Sequence, residues 1–144
     1  MINQLFKIIE EEANKVGGSV VRIEQDPVYG EKVVVEYNNN TIEFLPFTDA
    51  SLKRVNEALS GFPRFKALDF AGVVIIKGNE FNFEISSGEF SAYKFSERFE
   101  PSHPRQIGKL TNKFTNLYSQ ELIPNGTYIK ELEKGTIEDF IKSL

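Results

Sequence analysis

The sequence predicts an α+β fold: a mainly antiparallel sheet with an N-terminal helix and C-terminal helices packed on one face. Three observations predict it. Apolar residues recur at helical spacing at the start of the chain, at Ile2, Leu5, Phe6, Ile9, Ala13 and Val16. Two blocks of period-two alternation follow, each interrupted by turn residues, and helical spacing returns towards the C-terminus. Strands grouped by hairpins and set apart from the helices define α+β rather than alternating α/β.

The first helix is expected over residues 2–16, with Gly17 as a left-handed cap and Lys15 in the last turn. Ser19–Gln25 and Lys32–Tyr37 are rich in β-branched residues, and Asp26–Pro27–Val28–Tyr29–Gly30 between them carries turn chemistry. Asn38–Asn39–Asn40 reverses the chain into Thr41–Pro46, because Asn tolerates the left-handed backbone of tight hairpins. One polar face on these strands predicts a three-strand meander covered on one side only. A second helix over about 50–60, capped by Asp49 or Ser51, has the stripe Leu52, Val55, Ala58 and Leu59, and Gly61 with Pro63 stops it.

Val73–Lys77 and Glu80–Ile85 flank Gly78–Asn79, which reads as a two-residue hairpin turn. Residues 89–99 fit a sixth strand over 90–96, the preferred reading, or a helix face carrying Phe95 and Phe99. Beyond the break at Pro101–Ser102–His103–Pro104, a helix is expected over about 105–121. Two short helices, Tyr128–Lys134 and Ile137–Leu144, are expected to close the chain. Residues 1–144 thus read as one domain, with 105–144 a helical part docking on the sheet. In its element order, α-βββ-α-ββ-α, the chain resembles the small acidic dimeric chaperones of type III secretion. That resemblance implies a dimer that binds another protein.

Composition excludes several kinds of chemistry. The chain has 144 residues, no cysteine, one histidine and a net charge of −4. Disulfides, thiol nucleophiles, Cys-ligated metals and paired-His metal motifs are therefore excluded. The acidic balance argues against nucleic acid. No apolar run approaches the ~20 residues of a membrane helix. The N-terminus lacks the pattern of a signal peptide, so a cytoplasmic location is expected.

Candidate sites are few. His103 is the one side chain with an ordinary pKa near neutrality; it reads as a general base oriented by Glu97 or Glu100, or as a plain loop residue. Glu10–Glu11–Glu12 point in different directions on a helix and cannot converge on one ion. Asp26, Glu31 and Asn38–Asn40 could supply oxygen ligands if they met at the ends of the meander, but they lack a calcium-loop spacing. Gly17–Gly18–Ser19 stands in the wrong order for a phosphate cradle. No cofactor or metal is expected.

A basic cluster, Lys53, Arg54, Arg64 and Lys66 with Phe62 and Phe65 interleaved, could receive an acidic peptide or a phosphate group, or could simply solubilise a helix end. It contrasts with residues 1–50, which hold four Lys/Arg and nine Asp/Glu. Phe81, Phe83, Phe90, Tyr93, Phe95 and Phe99 fill either a core or a seam for a partner. The candidate binding residues are Lys53, Arg54, Arg64, Phe65, Lys66, Tyr93 and His103. The expected function is a non-enzymatic protein-interaction domain, chaperone- or adaptor-like, with a protein partner or self-association. The alternative is a small-ligand binding domain, or an enzyme with a pocket between sheet and helices using His103 or a carboxylate.

Overall fold

The computed structural model describes residues 2–28, 30–61, 66–87, 89–95, 128–131 and 137–142. In chain order the elements are α1 (Ile2–Ala13), β1 (Val20–Asp26), β2 (Gly30–Tyr37), β3 (Asn40–Pro46), α2 (Asp49–Leu59), β4 (Phe70–Ile76), β5 (Asn79–Ser86), β6 (Glu89–Phe95), β7 (Tyr128–Glu131) and α3 (Ile137–Lys142). The class is α+β with an antiparallel sheet. Each described strand pairs with its neighbour in sequence, in the order β1 to β7, so β1 stands at one end of the described sheet.

Local chemistry fixes the turns. Asn38 and Asn39 both take left-handed backbone, φ 53° and 61°, and close the β2–β3 hairpin at the pair Tyr37–Asn40. Lys77 and Gly78, φ 51° and 79°, do the same between β4 and β5. The turn thus sits one residue before the expected Gly78–Asn79. The shift puts Gly at the second central position, where this turn type favours it, and sets Phe83 opposite Gly72, which has no side chain of its own.

The helices differ from expectation in their ends. α1 stops at Ala13 and a run of turns carries the chain to Gly18, which takes φ 85° in place of Gly17. Ser19 Oγ ties off that run by donating to the carbonyl oxygens of Ala13 and Val16. Thr48, not Asp49 or Ser51, caps α2: its side chain accepts from the Ser51 amide at 3.2 Å. Ala58 is exposed, and the buried stripe is Ser51, Leu52, Val55 and Leu59.

Residues 128–131 form a strand against β6 rather than the start of a helix. Tyr128 and Ile129 belong to the aromatic and β-branched residues that favour strands, and an available sheet edge outweighs weak helical spacing over so few residues. The expected helix over 105–121 lies outside the described residues.

One core cluster joins α1, the sheet and α3. Leu5, Ile9, Ala13 and Val16 meet Val33, Val35, Ile42, Phe44, Phe83, Ile85 and Phe90, with Ile141 from α3. Phe44 makes edge-to-face contacts with Phe83 and Phe90 at centroid distances of 5.5 and 5.7 Å.

Cover on one side only is expected of the β1–β3 meander; towards β4 and β5 the opposite face is buried as well. Leu45, Val73 and Asn82 form a cross-strand row on that face and are all buried, as is Ala71. β4 reads Phe-Ala-Gly-Val-Val-Ile-Ile, the near-continuous apolar run of a strand buried on both sides. Gly72 lies so close to β3 that a Cβ there would run into the Leu45 carbonyl oxygen and Pro46 Cα. Asn56 links α2 to the approach to β4: its amide donates to the Leu68 carbonyl at 3.0 Å and accepts from the Leu68 amide at 2.8 Å.

Candidate functional site

The end strand β1 differs from the rest of the sheet. Val21 packs on the α1 cluster, and Ile23 sits opposite the buried Val33. Val20, Arg22 and Glu24 alternate with them and face the other way. Val20 is 54% exposed, and Val28, in the turn after β1, is 74% exposed. Two large apolar side chains in solvent therefore bracket the strand.

The opposite face of β1–β3 is a lattice of ion pairs. Arg22 donates to Glu24 on its own strand and to Glu36 on β2, the latter at 2.8 Å. Lys32 on β2 donates to Glu43 on β3 at 2.7 Å and stands 3.6 Å from Asp26. The two cations thus contact four carboxylates. Exposure falls from β1 inward: the Arg22 side chain is 38% exposed and Lys32 only 16%. The hydrogen bond from Lys32 to Glu43 holds the lysine pKa above its ordinary value, against the opposing effect of burial, and the charges of Glu43 and Asp26 add to the rise. Arg22 is likewise raised by its bonds to Glu36 and Glu24, and it stays charged at any working pH.

Two surface depressions lie near these elements. One of about 440 Å³, lined by Gly18, Val20, Glu36, Tyr37, Asn38 and Asn39, opens at the start of β1. Another of about 580 Å³ lies along α2 and is lined by Asp49, Leu52, Lys53, Asn56, Glu57 and Ser60 among others.

Of the residues singled out in the sequence, Lys53, Arg54 and Lys66 are exposed. Lys53 stands 3.8 Å from Glu57, and Asp49 lines the same depression. Tyr93 is placed on β6 opposite Asn82 and Glu131. Arg64, Phe65 and His103 lie outside the described residues.

The oxygen-ligand grouping is separated. Asp26 and Glu31 sit at one end of β2, and Asn38–Asn40 at the other, ~23 Å away at ~3.3 Å per residue. Among the described residues no group of three His, Cys, Asp or Glu side chains could hold a metal ion. No described helix is long and apolar enough to cross a membrane.

Sequence reasoning missed β1 as a surface. A signal existed: in a meander of sequence neighbours, the first strand is an end strand, and this one begins with the exposed Val20. No family model, no curated protein and no solved structure matches the chain.

Proposed function

We propose that the protein is a non-enzymatic interaction domain, chaperone- or adaptor-like, that receives an extended polypeptide along β1. One observation carries the reading: β1 ends the sheet order, and exposed Val20 and Val28 flank it. An end strand offers main-chain donors and acceptors to an added strand, and alternate side chains select what binds. The alternating Val20, Arg22 and Glu24 supply one apolar and two charged selectors on a single face.

The test is selection of displayed peptides on the full chain, followed by amide exchange with the selected peptide bound. Extended peptides that slow exchange across Val20–Asp26 are the expected result. Selected peptides that protect α2 and leave β1 unchanged would move the site to the Lys53 depression and end this reading.

A further inference from the structure

We propose that the partner β1 fits is β1 of a second copy, paired antiparallel about a two-fold axis through Ile23. The proposal rests on the reading of β1 as an interaction edge and adds the partner and the register. The strand runs Val20-Val21-Arg22-Ile23-Glu24-Gln25-Asp26. About Ile23 its charges are self-complementary: in the two-fold pairing Arg22 of each copy faces Glu24 of the other, on the same face, and Ile23 faces Ile23.

Other registers fail on charge, on facing or on overlap: centring on Val21 pairs only Val20–Arg22 of the strand, and centring on Gln25 sets Glu24 against Asp26. A shift that centres the axis on Arg22 sets arginine against arginine. Centring on Glu24 sets glutamate against glutamate. A register centred between residues sets Arg22 against Ile23 and turns the two α1 faces to opposite sides. Charges on an edge strand normally block pairing. Here, opposite charges two residues apart favour the alignment centred on Ile23, which also pairs all seven strand residues, so the edge selects its own copy in that register.

Geometry supports the same choice. Ile23 lies opposite Val33 of the core cluster, so Ile23 against Ile23 continues the apolar α1 face across the junction. Val20 would lose its exposure against the Asp26 end of the other strand. The contact is isologous and closes after two copies, which joins the sheets without seeding a fibre. A seven-residue edge is small beside the ~800 Å² per partner of a standard interface, so association is concentration-dependent rather than permanent.

Sedimentation of the full chain, R22E, E24R and their equimolar mixture tests the proposal. R22E leaves two carboxylates at the facing positions and E24R leaves two cations. Each variant is repelled by its own copy and matched to the other. The wild-type mass should rise with concentration from 16.4 kDa towards twice that. Each variant alone should lose self-association at least roughly tenfold, and the mixture should recover it.

A second measurement uses the absence of cysteine. I23C places a lone thiol on the axis, where facing Cα atoms of an antiparallel pair stand ~4.5–5.5 Å apart, within disulfide reach. I23C should oxidise to a covalent dimer much faster than V20C. Equal oxidation of the two, a mixture no better than its components, or a wild type that stays monomeric would overturn self-pairing. A monomer that still takes displayed peptides on β1 overturns the choice of partner alone.

Discussion

The centre of the sheet and its end strand share one backbone pattern and differ in what their side chains face. In β3 and β4, Phe44, Leu45, Val73 and Val74 are buried across both faces. In β1, one face reaches the core through Val21 while the other holds Arg22 and Glu24 in solvent-facing ion pairs. Burial of an aromatic or aliphatic side chain is worth ~1.5–3 kcal/mol. Exposed ion pairs contribute ~0–1 kcal/mol each. The centre therefore carries stability. The charges of β1 add little to it, and they are available to choose what pairs with the edge.

The sharpest way to test that contrast is to damage the centre. Phe44→Ala removes the ring that touches Phe83 and Phe90, and should cost about 4 kcal/mol in denaturant unfolding. Gly72→Ala forces a methyl group against the Leu45 carbonyl and Pro46, where backbone cannot yield, and should cost about 3 kcal/mol. A Gly72→Ala protein as stable as wild type would show that β3 and β4 are not so close.

Asn56→Ala should cost about 2 kcal/mol, because it strands the amide and carbonyl of Leu68. A smaller effect is expected at the ion pairs. Lys32→Met should cost about 1 kcal/mol near neutral pH. The folded lysine pKa is raised, so its contribution is full below the ordinary value of 10.5 and fades as pH rises through the folded value. The stability gap between wild type and K32M, measured by urea unfolding from pH 7 upward, should stay level and then close in the alkaline range. A gap that stays open through the whole alkaline range would contradict the assigned cause.

Where a segment's pattern had only one structural solution, the fold was legible in the sequence. The α1 stripe, the Asn38–Asn39 hairpin and the alternation of Val33 and Val35 each admit one reading. Gly78 is legible as a turn residue, but its place in the turn follows from the pairing of the whole β4–β5 ladder, in which Gly72 faces Phe83. Thr48 does not stand out as the cap in sequence because Asp49 and Ser51 offer the same chemistry nearby, and only the backbone direction separates them. Tyr128–Glu131 followed tertiary context: its weak helical spacing gave way to the edge of β6.

The candidate site was less legible. Of the basic cluster Lys53, Arg54, Arg64 and Lys66, three members are exposed and Arg64 lies outside the described residues; Asp49 and Glu57 of α2 line the depression with Lys53. Asp26, Glu31 and Asn38–Asn40 could form one set of oxygen ligands only if they met, and the length of β2 holds them apart. The edge position of β1 follows from the pairing order of the sheet, which single-strand patterns do not report.

The contrast between closed centre and open edge is tested most directly by amide hydrogen exchange at low and high protein concentration. Exchange at Ile42–Leu45 should be slow and independent of concentration, and exchange at Val20–Asp26 should slow as concentration rises. Protection at β1 that matches β3 at every concentration, or that never changes, would contradict an edge that pairs with its own copy.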